Sequence, residues 1–107
     1  MSNIYRFELD EGYKPINEMT EVLDSVYDAI RYACRWLDRR ENDAWNGKVY
    51  TVHISRKDRS GNFQYYDVVH KHEGTFYLGT GIGKPINPKT GRPVAKKRDR
   101  EMHPFGL

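Results

Sequence analysis

The feature of this sequence that most constrains its fold is an amphipathic repeat over residues 19–39. Apolar side chains recur there at intervals of three and four residues, which places them on one face of an α-helix. The residues that carry the repeat are Met19, Val22, Leu23, Val26, Ile30, Ala33, Cys34 and Leu37. The sequence therefore predicts one main helix whose apolar face needs a second layer to cover it.

The start of this helix has two interpretations. In the first, Asn17 caps a helix that covers the whole repeat. In the second, Ser25 and Asp28 form a capping box, in which the serine hydroxyl accepts a backbone hydrogen bond and an acidic residue follows three positions later. Residues 19–23 would then be an irregular lead-in or a short strand. Both interpretations predict helix over residues 26–39.

Four other stretches alternate apolar and polar residues, as half-buried β-strands do. They span residues 4–9, 48–56, 63–71 and 75–79. The last three follow one another through short turns, which predicts an antiparallel meander. A helix that covers one face of such a sheet gives a two-layer sandwich. The sequence thus predicts an α+β fold in the order β-α-β-β-β, with three to four antiparallel strands.

Large aromatic side chains are more numerous than one helix–sheet interface obviously uses: eight Tyr, four Phe and two Trp. Tyr65 and Tyr66 are adjacent on a predicted strand, so they point to opposite faces of the sheet. The pattern alone does not show which face is buried. Because tyrosines are enriched at interfaces and sheet aromatics can stack on bases, we expect a binding surface on the sheet. Its candidate residues are Tyr50, Tyr65, Tyr66 and Tyr77.

The charge of the chain is distributed unevenly. Residues 1–83 carry 11 Lys and Arg against 13 Asp and Glu, whereas residues 84–107 carry 7 against 2. The second segment also has three prolines within residues 84–93, which excludes a helix or an interior strand. We therefore predict one domain over residues 1–83 and an extended basic tail over residues 84–107. The tail residues expected to bind a partner are Lys84, Lys89, Arg92, Lys96, Lys97, Arg98 and Arg100.

The sequence shows no arrangement with the spacing of a catalytic triad, a paired-carboxylate site or a metal site. His70 and His72 share one face of a strand, but no cysteine or third histidine is close to them in sequence. Cys34 lies on the apolar helix face, where we expect an inert core thiol. We predict no metal, no cofactor and no enzymatic activity. Convergence of His53 and His70 in one pocket would argue for an enzyme instead.

The function that fits these features is a non-enzymatic regulatory module that docks a protein partner through its sheet face and basic tail. The alternative is a nucleic-acid-binding protein, with the tail on phosphates and the sheet aromatics stacked on bases. A homodimer also stays open. No apolar run approaches the roughly 18 residues that a spanning helix needs, so no membrane contact is predicted. The single cysteine and the lack of an apolar N-terminal signal region suggest a cytoplasmic protein.

Overall fold

The structure is a computed structural model that describes residues 2–79 and 84–94. Its elements in chain order are β1 (Asn3–Glu11), β2 (Lys14–Leu23), α1 (Val26–Asp38), a 3-10 turn (Ala44–Asn46), β3 (Tyr50–Lys57), β4 (Phe63–His72), β5 (Thr75–Leu78) and β6 (Lys84–Ile86). The strands form one antiparallel sheet of six, in the order β2-β1-β3-β4-β5-β6. The predicted α+β fold with one helix on an antiparallel sheet is confirmed. The predicted number of three to four strands is wrong.

The first strand that the sequence did not predict is β2, which pairs with β1 along its whole length. Pro15 suggested a loop, but β2 lies at the edge of the sheet, where a missing N–H is tolerated. Residues 19–23 belong to this strand. The helix begins after them, because the Ser25 hydroxyl accepts a hydrogen bond from the Asp28 backbone N–H at 3.3 Å. The capping-box interpretation is therefore confirmed, and the longer helix is wrong.

The second unpredicted strand is β6, within the segment that the sequence suggested was a tail. It pairs with β5 at the other edge of the sheet. Pro85 is tolerated there, because an edge strand does not need the missing N–H for pairing on its outer side. Ile86 is buried opposite Phe76 in the core. Gly91 follows with a φ of 75°, and a Cβ at this position would clash with the backbone of Tyr27 in the helix. Residues 84–94 thus pack against both layers of the fold.

The hydrophobic core lies between the helix and one face of the sheet. Its sheet side consists of Tyr5, Phe7, Leu9, Tyr50, Val52, Ile54, Val69, Phe76 and Ile86. Its helix side consists of Ala29, Ile30, Ala33, Cys34 and Leu37. Cys34 is 1% exposed, which confirms that it belongs to the core, and its burial raises the pKa of the thiol to about 12. Among the described residues no helix covers the opposite side of the sheet, which we call the open face.

Candidate binding face

The open face consists of the residues that alternate with the core residues along each strand. On β3 these are Thr51, His53 and Ser55, since Tyr50, Val52 and Ile54 point toward the helix. The pairing registers then identify their neighbours on β1, β4 and β5. Those neighbours are Arg6, Glu8, Asp10, Tyr65, Val68, His70 and Tyr77. The centre of this face therefore holds two carboxylates, two histidines and two tyrosines.

A β-bulge in β4 determines which of the adjacent tyrosines reaches this face. Tyr65 is opposite Ser55, whereas Asp67 is opposite Ile54, so Tyr66 is the extra residue on β4. Tyr65 therefore lies on the open face and is 61% exposed. The hydroxyl of Tyr66 lies instead near those of Tyr5 and Tyr27, on the helix side of the sheet. Simple alternation along the strand could not reveal this shift.

Three side chains of the open face form a hydrogen-bonded chain. His53 Nε2 lies 3.1 Å from Oδ2 of Asp10, and His53 Nδ1 lies 3.2 Å from the Tyr65 hydroxyl. With a proton on Nε2, the imidazole donates to the carboxylate and accepts from the hydroxyl. Burial raises the pKa of Tyr65, and the charges of Asp67 and Asp10 add to this. Tyr65 is therefore protonated at neutral pH, and its hydroxyl can donate to His53.

Asp10 is the buried member of this chain. Its side chain is only 12% exposed, and its Oδ1 atom has no hydrogen-bond partner among the described residues. Glu8 lies beside it on the same face, and a hydrogen bond to Asp10 is the main reason that the pKa of Glu8 is raised. Burial of Glu8 raises its pKa further. The two carboxyl groups can therefore share one proton.

A cleft of about 710 Å³ opens on this face, within the size range of ligand pockets. The sheet supplies one wall, and the segment over residues 42–49 supplies another. Asn42 ties that segment to the sheet, because its side chain donates to the Lys71 carbonyl at 2.9 Å and accepts from the Tyr50 N–H at 3.2 Å. The lining residues used below are Asp10, His53, Tyr65, His70 and Tyr13. His53 and His70 both line this cleft, but they have separate partners: His53 contacts Asp10 and Tyr65, and His70 stacks on Tyr77. Their presence in one cleft therefore assigns no catalytic pair.

Two fully exposed aromatic side chains belong to the segments that border the cleft: Tyr13 lines it, and Trp45 follows the lining residue Ala44. Tyr13 is at the tip of the β1–β2 hairpin, and Trp45 is in the 3-10 turn. The Gly12 N–H donates to the Val49 carbonyl at 2.8 Å, which holds these two tips together. Sequence reasoning did not single out either residue as a site. The available signal was an aromatic beside a turn glycine in each case, Gly12 before Tyr13 and Gly47 shortly after Trp45.

The four predicted sheet tyrosines do not form one surface. Tyr65 and Tyr77 share the open face, and Tyr77 stacks on His70 with ring centroids 5.5 Å apart. Tyr50 is buried on the helix side, where its hydroxyl donates to Glu11 Oε2 at 2.7 Å. Tyr66 lies on the helix side as well. The open face thus brings together two of the four, and Tyr13 also lines its cleft.

The basic residues of the predicted tail are only partly described. Lys84 and Lys89 are exposed, and the guanidinium of Arg92 lies 4.1 Å from the ring centroid of Tyr27. Arg92 therefore lies over the helix and not over the open face. The remaining predicted tail residues, Lys96, Lys97, Arg98 and Arg100, lie outside the described residues.

The arrangement on the open face can bind cations and hold or move a proton between Tyr65, His53 and Asp10. Within residues 2–79 and 84–94, no three His, Cys, Asp or Glu side chains are grouped to hold a metal ion. Over the same residues, no helix is long and apolar enough to cross a membrane. Comparisons of the chain with protein-family models, with curated proteins and with solved structures found no match. The proposals below therefore rest on the geometry of the molecule.

Proposed function

We propose that the protein is a non-enzymatic binding module that docks a protein partner through its open face. The observation that carries this proposal is the cleft of about 710 Å³ on that face, with exposed aromatic side chains at its rim. Tyr and Trp side chains supply much of the binding energy at protein interfaces, because they bury large areas at low entropic cost. Tyr13, Trp45 and Tyr65 are the residues expected to anchor the partner.

The charge of the cleft defines the chemistry of this partner. Asp10 lies in the cleft wall, and its Oδ1 atom has no hydrogen-bond partner in the part of the chain that the structure describes. Glu8 lies beside it, and His53 Nε2 contacts its other oxygen atom. A partner that inserts a Lys or Arg side chain between the aromatic residues would gain both ionic and cation–π contacts. We therefore propose a partner segment that presents a basic residue flanked by apolar ones.

The decisive experiment compares Tyr65→Ala and Trp45→Ala with Tyr66→Ala, a neighbouring tyrosine that lies on the helix side. Immobilised full-length protein captures candidates from nuclease-treated host extract, and each candidate is then purified and titrated by calorimetry. We expect the first two variants to bind at least about 30-fold more weakly, as for interface anchors worth roughly 2 kcal/mol. Tyr66→Ala should bind like the wild type. Equal affinity of all four proteins would refute docking through the open face.

A nucleic-acid-binding function is the second candidate, because cations surround an aromatic ring at the β3–β4 hairpin end of the sheet. The Arg6 guanidinium lies 4.7 Å and the Lys57 ammonium 5.7 Å from the ring centroid of Phe63. Arg56 and Arg59 line an adjacent cleft. Basic groups around aromatic platforms are the usual composition of single-strand-binding surfaces. The basic residues of the tail would add contacts to phosphates.

Salt dependence tests this second function. If five phosphates are neutralised, the logarithm of the duplex association constant should fall with a slope of about −4.5 against the logarithm of salt concentration. Removing residues 95–107 takes away four cations and should reduce the slope by roughly 3.6. Fluorescence anisotropy with labelled single-stranded and duplex oligonucleotides measures both slopes. Absence of binding at low salt would exclude nucleic acid as the partner.

A further inference from the structure

The strand β2 leaves a long edge of the sheet open. It has ten residues, and no other strand among those described pairs with its outer side. Proteins usually protect such edges with lysines, prolines or bulges, because an unpaired strand is a template for another strand. The protection here is confined to one end, at Lys14, Pro15 and the bulge opposite Leu9 and Asp10. From Asn17 to Leu23 the edge has neither lysine nor proline.

Exposed apolar side chains are concentrated on this edge. Ile16 is 39% exposed, Met19 38% and Val22 64%. Ile16 is the extra residue of the bulge, whereas Met19 and Val22 belong to the regular part of the strand, where they pair with Phe7 and Ile4 of β1 and so point to opposite faces of the sheet. A second copy of β2, related by a two-fold axis at Met19, would bring the two Met19 side chains together on the helix side.

The register centred on Met19 also matches the remaining side chains. Within the regular part of the strand, from Asn17 to Leu23, it places Met19 opposite Met19 of the second copy and Asn17 opposite Glu21. Glu18 then faces Thr20. A two-fold axis perpendicular to the sheet keeps each side chain on its own face, so the nearest alternative registers are centred on Glu18 or Thr20. The first sets two glutamates against each other, and the second sets Met19 against Glu21.

A groove beneath this edge provides an independent observation. On the helix side of the sheet, a cavity of about 410 Å³ lies between β2 and α1. Met19, Tyr32, Trp36 and Arg39 are among the residues that line it. The helix therefore does not fill the space next to β2. In a two-fold arrangement at Met19, the grooves of the two copies meet, and the Met19 side chains lie at the junction.

We propose that the protein forms a two-fold homodimer through antiparallel pairing of β2 with β2, with Met19 at the axis. The two sheets become one continuous sheet, and the unpaired backbone groups of both edges are satisfied. The two helices lie on the same side of this sheet. No residue of β2 lines the cleft on the open face, so each copy keeps its cleft free. The dimer thus does not depend on the proposed function, and it would present two binding clefts to one partner.

A cysteine scan of the full-length chain tests both the dimer and its register. Directly opposed residues have Cα atoms about 4.5–5.5 Å apart, which a disulfide can span. Met19→Cys should therefore give a covalent dimer under mild oxidation. Glu21→Cys is the matched control on the same face, because its two copies would lie about 13 Å apart. The native Cys34 is only 1% exposed and does not compete. Cross-linking at residue 21 as readily as at residue 19, or none at residue 19, would overturn the register.

Charge exchange at the axis provides a reversible test of the same contact. Met19→Lys and Met19→Glu should each weaken self-association at least tenfold, because like charges meet at the axis. An equimolar mixture of the two variants should form the heterodimer. Val94→Lys, which changes an exposed apolar residue far from β2 in sequence, is the control that should still dimerise. Sedimentation equilibrium measures each mass, and a monomeric wild type at 100 µM (about 1 mg/mL) would overturn the proposal.

Discussion

At the scale of single residues, ionised Glu8 on the open face lowers the free energy of unfolding. Its carboxyl group lies beside Asp10, and the hydrogen bond to Asp10 and burial raise its pKa above the ordinary value of 4.5. The native state therefore binds a proton more tightly at Glu8 than the unfolded chain does. This destabilisation is absent below the unfolded pKa and grows as the pH rises through the native pKa. Binding sites commonly keep charged groups that destabilise the folded state, because these groups interact with the partner.

The variant Glu8→Gln is expected to be more stable than the wild type at neutral pH. The amide removes the negative charge and can donate a hydrogen bond to Asp10, as protonated Glu8 does. The gain should disappear near pH 4, where the native carboxyl group is already protonated. Thermal unfolding at a series of pH values measures it. Glu18→Gln, at the exposed position opposite Glu8 on β2, is the control with a smaller gain. A lower melting temperature for Glu8→Gln at pH 7 would contradict this explanation.

At the scale of elements, the two edge strands have different roles. Strand β2 is exposed along most of its length, whereas the short β6 contributes Ile86 to the core. If the domain ended at residue 83, residues 84–107 would not contribute to the stability of the fold. The burial of Ile86 and the close approach of Gly91 to Tyr27 indicate instead that residues 84–94 stabilise the fold.

Two truncations distinguish these alternatives. Removal of residues 95–107 should change the free energy of unfolding by less than about 0.5 kcal/mol. Removal of residues 84–107 should lower it by more than about 3 kcal/mol, since it strips β6 from β5 and exposes Phe76. Urea denaturation measures both. Ile86→Ala should cost about 2–4 kcal/mol, and the exposed Val94→Ala serves as its control. Equal stability of the two truncated chains would show that residues 84–94 form a dispensable tail.

At the scale of the whole molecule, a single helix covers one side of the six-stranded sheet within residues 2–79 and 84–94, and two surfaces are available for association. The open face offers a largely apolar cleft that contains a few charged groups, and the β2 edge offers backbone hydrogen bonds flanked by exposed apolar side chains. These surfaces suit different partners, since the first recognises side chains and the second recognises another strand. A dimer that binds a dimeric or repetitive partner would gain avidity from two clefts on one rigid sheet.

Much of the fold followed from local patterns in the sequence. The helix from Val26, the hairpin of β3 and β4, and the short β5 were all indicated by periodicity and turn residues, because those signals depend on near neighbours. The two missed strands each contain a proline, which argued against a strand until their positions at the edges of the sheet were known. Edge position is a property of the assembled sheet.

The candidate site was less predictable than the fold. Tyr65 was identified among the candidate residues, but Asp10 and His53 come from strands far apart in the chain, and only the β1–β3 register brings them together. The hairpin tip that carries Tyr13 contacts the distant segment over residues 42–49 through the Gly12–Val49 hydrogen bond. Sequence spacing carries no information on such contacts.

By itself, the sequence determined that an amphipathic helix would cover an antiparallel sheet and that Cys34 would lie in the core. These outcomes depend on hydrophobic burial, which the pattern of apolar residues encodes locally. The tertiary structure alone decided which tyrosines face away from the helix, because one extra residue in β4 reverses the alternation that a regular strand would have. It also decided that the N-terminal part of the amphipathic repeat is strand. Pairing with β1 satisfies the backbone groups on one side of that segment, and the helix begins only at its cap, Ser25.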